Sequence, residues 1–156
     1  MAMTRDAAWL RKLAEAYFDP SLHTDLCLDD DNPTEPDYIR ADAVISQVLA
    51  LPYHAPEDCW RFLQIACELP LADDQLGLLG AGIFEDLMDE YGNAFIGRVE
   101  GAAMHDPALR GVVNGAWTMS MDSVVAQRVE AIQSPQKAVD NQLRRQWWNA
   151  QQGGSD

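Results

Sequence analysis

The chain has 156 residues, 47% of them hydrophobic, so it is long enough for one buried core and too apolar for a disordered chain. Its 25 acidic and 11 basic side chains give a net charge of −14, which disfavours direct binding to nucleic acid and to anionic membranes. No apolar run approaches the roughly 20 residues of a membrane span, and the N-terminus lacks a signal-peptide pattern. We therefore expect one cytoplasmic domain over residues 1–150.

Apolar residues recur at helical spacing, and prolines, glycines and capping residues mark where helices begin and end. The three helices predicted in the N-terminal half span residues 4–18, 34–51 and 55–69. Thr4 and Thr34 are the expected N-caps. The second and third helices end before Pro52 and Pro70, because the residue before proline avoids the helical region. An acidic loop at about 19–36 separates the first two helices.

In the C-terminal half, the clearest helical stripe is predicted to begin at Asp73 and to end at Gly92, where a C-terminal glycine belongs. Glycines inside this stripe disfavour a helix unless a neighbouring backbone comes close. They are Gly77, Gly80 and Gly82. Further helices are predicted to begin at Asn93, at Asp106, at Ser120 or Asp122, and at Ser134.

Strand-like alternation is absent over any useful length, so no sheet is predicted. The expected fold class is all-α, an irregular multi-helix bundle of about seven to eight helices, mostly antiparallel neighbours joined by short connections. Residues 151–156 are expected to form a frayed C-terminal tail.

Short motifs in the middle of the chain carry a family resemblance. They are Gly82–Leu87, Tyr91-Gly92, Phe95-Ile96 with Glu100, Asp106–Arg110, and Gly115–Trp117. On these motifs, the stretch from Trp60 to Val129 resembles a family of small bacterial proteins classed as a domain of unknown function. The resemblance implies a bacterial or phage source and a helical fold, and it implies no activity.

Most of the motif positions are ordinary helix residues and caps, and we predict that they are structural. A carboxylate at Glu85 within an apolar stretch needs a backbone or Arg110 partner, and Trp117 would fill the core. The motif residues predicted to be structural are Glu85, Asp86, Gly92, Glu100, Asp106, Arg110 and Trp117.

Four carboxylates, Glu85, Asp86, Asp89 and Glu90, share one side of a predicted helix. Such a strip can bind a divalent metal or the arginines of a partner. No histidine stands at ligand spacing on this helix, so a solvated or partner-binding face is favoured. The alternative is a metal-assisted hydrolase that uses the first three of these residues with Glu100. We predict no bound metal, no other cofactor and no catalytic residue.

The acidity is uneven along the chain. Eight acidic residues and one basic residue lie between Asp19 and Asp42, a local net charge of −7 and half of the total. A calcium loop counted from Asp29 would need glycine and glutamate where Thr34 and Arg40 stand. The predicted partner-binding anchors are Asp29, Asp30, Asp31, Glu35 and Asp37.

Together, these patterns predict an acidic binding protein of the immunity or inhibitor type, which neutralises a basic partner such as a toxin or nuclease. A metal-assisted hydrolase and a structural homo-oligomer remain the alternatives. The C-terminal helix carries Trp147 and Trp148 beside two arginines. It is expected to dock on the bundle or on a second copy, which makes a homodimer through this helix one candidate assembly.

Overall fold

A computed structural model of the chain describes residues 5–19 and 37–153, with side chains in the second range described from residue 43 onward. The described residues form eight α-helices and one π-helical segment, and they contain no strand. The all-α prediction is therefore confirmed. The elements are α1 (Ala7–Phe18), α2 (Asp37–His54), α3 (Pro56–Ala66), α4 (Asp73–Leu79), the π-helical segment (Gly80–Phe84), α5 (Glu85–Ala103), α6 (Pro107–Gly115), α7 (Ser123–Ile132) and α8 (Pro135–Gly153).

These helices group into two compact units, divided between Leu71 and Ala72. The single domain expected over residues 1–150 stays a prediction. None of the helices in the described ranges combines the length and apolar character needed to cross a bilayer.

In the N-terminal unit, α1, α2 and α3 pack against one another around a buried apolar core. The first helix is capped by Asp6, whose side chain accepts a hydrogen bond from Trp9 N at 2.7 Å, and not by the predicted Thr4. The second helix does not end before Pro52 but continues to His54. A proline in the last turn removes one helical hydrogen bond, and the helix tolerates that loss near its end.

In the C-terminal unit, α4 and α6 meet backbone to backbone at glycines. A Cβ atom added to Gly80 would lie 1.9 Å from Val112 O, and one added to Gly115 would lie 2.2 Å from Gly77 O. A side chain at Gly80 would therefore hold the π-helical segment away from α6, and one at Gly115 would hold α4 away from α6. Among the three glycines of the predicted stripe this explains Gly80 alone, because a Cβ atom at Gly77 or Gly82 would have no neighbour within 4 Å.

The predicted boundary between a helix that ends at Gly92 and one that begins at Asn93 falls at a kink, where two helical segments are joined. Helix α5 runs through both residues to Ala103, although Tyr91 departs from helical geometry with φ −133° and ψ 22°. A Cβ atom on Gly92 would lie 2.7 Å from Val125 Cγ1 of α7. Gly92 therefore follows the kink and also allows α5 and α7 to approach closely.

The last three helices begin where capping residues were expected. Asp106 and Asp122 cap α6 and α7 through their side chains, and Ser134 Oγ accepts a hydrogen bond from Lys137 N at the start of α8. Helix α8 reaches Gly153, so it extends past residue 151, where the frayed tail was predicted to begin.

Candidate binding surface on helix α5

The candidate site is a row of four carboxylates on the first two turns of α5. The helix buries Leu87 and Met88 against the rest of its unit. The carboxylates occupy the remaining positions of those turns, with three partly exposed and the fourth fully exposed. We call Glu85, Asp86, Asp89 and Glu90 the carboxylate strip.

Asp89 is the member of the strip whose negative charge is disfavoured most by its surroundings. Its Oδ1 atom is buried and has no hydrogen-bond partner among the described atoms. Burial, followed by the negative charges of Glu85, Asp86 and Glu90, raises the pKa of this carboxyl from 3.8 to about 7. Asp89 therefore exchanges a proton in the neutral pH range, where an ordinary aspartate is fully ionised.

Glu85, one turn earlier, has a partner for its charge. Its Oε2 atom accepts a hydrogen bond of 2.9 Å from the backbone N of Trp117, in the segment after α6. Burial raises the pKa of Glu85, the Trp117 bond lowers it, Asp86 raises it again and Lys137 lowers it. Glu85 thus ties α5 to the segment that follows α6.

Two basic side chains of α8, Lys137 and Arg144, are directed at the Trp117 ring. Lys137 Nζ lies 3.3 Å and Arg144 Cζ 3.7 Å from the ring centroid, distances typical of cation–π contacts. Burial, followed by the charge of Arg144, lowers the pKa of Lys137. In the part of the chain that the structure describes, no ion pair involves Asp86, Asp89 or Glu90. The strip therefore keeps an excess of negative charge.

The described residues give the metal-assisted hydrolase alternative no supporting geometry. Glu100, its fourth expected ligand, forms an exposed ion pair with Arg128 of α7, and that hydrogen bond lowers the pKa of Glu100. Over residues 5–19 and 37–153, no three histidine, cysteine, aspartate or glutamate side chains are placed to hold a metal ion.

Other motif residues lie at helix ends. Asp106 Oδ1 accepts hydrogen bonds from Ala108 N at 3.0 Å and Leu109 N at 3.3 Å at the start of α6. Arg110 donates to the carbonyl of Ala103 at 2.8 Å, so it closes the end of α5 and is not the partner of Glu85. The structural role assigned to the motif as a whole stays a prediction.

A buried polar network between α7, α8 and the segment after α6 was missed by the sequence analysis. Asn141 binds Thr118 N at 3.1 Å and Gln133 Oε1 at 2.8 Å, while Glu130 accepts hydrogen bonds from Thr118 Oγ1 and Arg145. The sequence carries no signal for it, because polar residues at helical spacing normally indicate a solvated face.

The predicted anchors of the acidic segment lie almost entirely beyond the described structure. Asp29, Asp30, Asp31 and Glu35 fall outside the described residues, and Asp37 begins α2 with its side chain undescribed. The structure therefore neither joins these residues to the carboxylate strip nor separates them from it.

A cleft in the N-terminal unit is a weaker candidate. It has a volume of about 210 Å³ and is lined in part by Trp9, His54 and Asp58. Its buried carboxylate, Asp58, already binds Arg61 Nη1 and the backbone N of Arg5, each at 3.2 Å. The cleft has no counterpart to the unsatisfied oxygen of Asp89.

Replacing Asp89 by asparagine is expected to stabilise the protein at pH above about 7 and not below about 4. The carboxyl ionises near 3.8 when unfolded and near 7 when folded, so it lowers stability as pH rises through that window. Allowing for solvent screening, we expect a gain of about 1–2 kcal/mol at pH 8, measured by urea unfolding at both pH values.

Glu90→Gln is the matched control, because it removes an exposed charge of the same strip. It should change the free energy of unfolding by less than about 0.5 kcal/mol at either pH. An Asp89→Asn gain that persists undiminished at pH 4 would show that the charge of Asp89 is not its cause.

Comparison with known protein families gives one match. A family model described as "Family of unknown function (DUF6869)" covers residues 37–137, well over half of the chain, so the chain belongs to this family. The match is wider than the stretch from Trp60 to Val129 on which the resemblance was first seen. Curated proteins and solved structures give no match to the chain.

Proposed function

We propose that this DUF6869 family member is an acidic binding protein of the immunity or inhibitor type, and that its carboxylate strip receives lysine or arginine side chains of a basic partner. The observation that carries the proposal is Asp89, a carboxyl with a buried, unpartnered oxygen among three like charges. A cation from a partner would relieve the repulsion between the four carboxylates and favour the ionised form of Asp89.

The partner's expected chemistry follows from the geometry of the strip. Carboxylates on successive turns of a helix lie about 5–6 Å apart, so several can contact one basic segment. Arginine fits best, because its planar guanidinium donates two parallel hydrogen bonds to one carboxylate. Helix α5 thus supplies acceptors in a fixed row, and a toxin or nuclease with a basic surface is the proposed class of partner.

The acidic segment between Asp19 and Asp42 has a supporting role in this proposal. With a local net charge of −7, it extends the negative field of the protein and accelerates encounter with a basic molecule. Asp29, Asp30, Asp31, Glu35 and Asp37 are its proposed contact residues. The strip would then provide the partly desolvated contacts that slow dissociation.

A fluorescent arginine-rich peptide tests the strip, with binding followed by anisotropy at low salt. The triple variant Asp86→Asn, Asp89→Asn, Glu90→Gln should bind about tenfold more weakly than the wild type. Wild-type binding should also strengthen between about pH 6 and pH 8, because Asp89 must lose its proton to pair with arginine. The triple variant should lack that pH dependence.

A control variant removes three carboxylates of the same unit that lie away from the strip: Asp73→Asn, Asp74→Asn, Glu100→Gln. Both triple variants remove three carboxyl groups, and at pH 8, where Asp89 is mostly ionised, they lose nearly equal charge, so a difference between them there reports the strip and not the overall field. Equal weakening by both would refute the strip as the binding surface. In a separate experiment, the five proposed contact residues of the acidic segment are neutralised. This change should mainly lower the association rate and its salt dependence.

A further inference from the structure

Helix α8 has its polar and apolar sides reversed relative to an ordinary surface helix. Its one fully buried side chain is a polar one, Asn141. Its large apolar side chains are instead exposed, and one of them, Trp148 at 45%, projects near the Asn141 side. The other three are Val139, exposed by 47%, Leu143 by 57% and Trp147 by 61%. At roughly 100° per residue, these three side chains share one side of the helix, opposite Asn141. We call Val139, Leu143 and Trp147 the outward stripe.

The inward side of α8 is held by a set of hydrogen bonds. Asn141 binds Thr118 N, Ala116 O at 3.2 Å and Gln133 Oε1, and Arg145 pairs with the buried Glu130. These contacts fix the rotation of the helix about its axis. The outward stripe cannot turn inward without breaking them, so the described part of the chain leaves it uncovered.

We propose that the outward stripe is a homodimer interface, in which α8 of one copy packs antiparallel against α8 of a second copy. The two-fold axis would pass near Leu143, so that Leu143 meets itself and Trp147 of each copy meets Val139 of the other. A large side chain then faces a small one at both ends, which is the complementarity that close helix packing needs.

The charges on α8 favour a second copy. Lys137, Arg144 and Arg145 outnumber Asp140, so the helix carries a net charge of +2 in a protein of −14. Contact through α8 brings two acidic molecules together at their least repulsive surface. In the antiparallel arrangement, Asp140 faces the neutral Gln146 of the second copy, which avoids like-charge opposition. A net charge of −14 disfavours the other apolar acceptor, an anionic membrane surface.

A polar groove lies beside the stripe, between α7 and α8, with a volume of about 590 Å³. It is lined by amide side chains that have no hydrogen-bond partner among the described residues. They are Gln127, Gln142, Gln146 and Asn149. These amides can form the polar rim of the interface, which a helix pair needs around a narrow apolar centre.

The available area sets the expected strength of the dimer. Helix α8 has 19 residues and is therefore about 28 Å long. The outward stripe exposes on the order of 300 Å² per copy, and with the polar rim a helix pair of this length buries about 1,000–1,200 Å² in total, the lower end for a specific interface. We therefore expect a dissociation constant on the order of 10 µM.

Analytical ultracentrifugation of the full chain tests the proposal over roughly 1–300 µM, a range that spans the expected dissociation constant. The wild type should pass from monomer to dimer, also at about 0.5 M salt, because the contact is mainly apolar. Leu143→Asp should weaken the dimer at least about 30-fold, and Trp147→Ser should weaken it at least about tenfold.

Leu78→Asp is the matched control, because Leu78 is a leucine of α4 that is 65% exposed and lies off the outward stripe. It should leave the dissociation constant unchanged within about twofold. A wild type that stays monomeric throughout would overturn the proposal and point to a cover from within the chain or from a different protein. A dimer that survives Leu143→Asp, or that Leu78→Asp disrupts equally, would overturn it as well. The proposal does not rest on the carboxylate strip.

Discussion

Replacing Gly80 by alanine is expected to destabilise the C-terminal unit by about 3 kcal/mol or more. The new Cβ atom would lie 1.9 Å from Val112 O and 2.9 Å from the Cα atom of Gly115, and all of the crowded atoms belong to backbone. No side-chain rotation relieves such a clash, so the π-helical segment and α6 would have to separate. Urea unfolding followed by circular dichroism measures the loss.

Gly77→Ala provides the contrast, because Gly77 lies one turn earlier and a Cβ atom there would have no neighbour within 4 Å. Alanine at this position should stabilise α4 by about 0.5–1 kcal/mol through its higher helix propensity. Opposite signs for the two substitutions would establish the close approach of the π-helical segment and α6. Similar effects from both would contradict it.

Replacing Asn141 by alanine is the second large effect that we expect, a loss of about 3 kcal/mol. The side chain satisfies Thr118 N, Ala116 O and Gln133 Oε1 within a buried site. Its removal leaves buried polar groups without partners, and such groups lower stability more than a missing hydrogen bond alone.

Asn149→Ala serves as the comparison, since Asn149 is exposed on the same helix and alanine has the higher helix propensity. It should leave stability unchanged or raise it by a few tenths of a kcal/mol. Because the network also fixes the rotation of α8 about its axis, Asn141→Ala should reduce the intensity of the near-ultraviolet circular dichroism signal of the tryptophans. An unfolding free energy within about 1 kcal/mol of the wild type would show that the network contributes little.

Local chemistry made much of the fold predictable. Asp106 and Asp122 could be identified as caps from the sequence, because capping depends on a side chain and on backbone groups two or three residues away. The all-α fold class could be predicted from apolar spacing, because that spacing is also a pattern of residues close together in the sequence. The break predicted at Gly92 lies next to the kink at Tyr91, whereas the close approach of Gly92 to Val125, 33 positions along the chain, leaves no local pattern.

The carboxylate strip shows the same division between local and distant causes. Its four residues and their shared helix side follow from spacing. Which of them is buried depends on how α5 is rotated against its neighbours, so the perturbed pKa of Asp89 could not be foreseen. The Asn141 network depends on Thr118, Glu130 and Gln133, which meet only after α7 and α8 have packed.

The buried oxygen of Asp89 has a consequence for the free protein. A chain selected for stability alone would carry a neutral residue there, and α5 would lose nothing in packing. The carboxylate makes the ionised form of the protein less stable than the protonated form, and protonation or a bound cation would restore the lost stability. If the proposed function holds, the protein would resist unfolding and proteolysis better when a basic partner is bound, so its lifetime would report that binding.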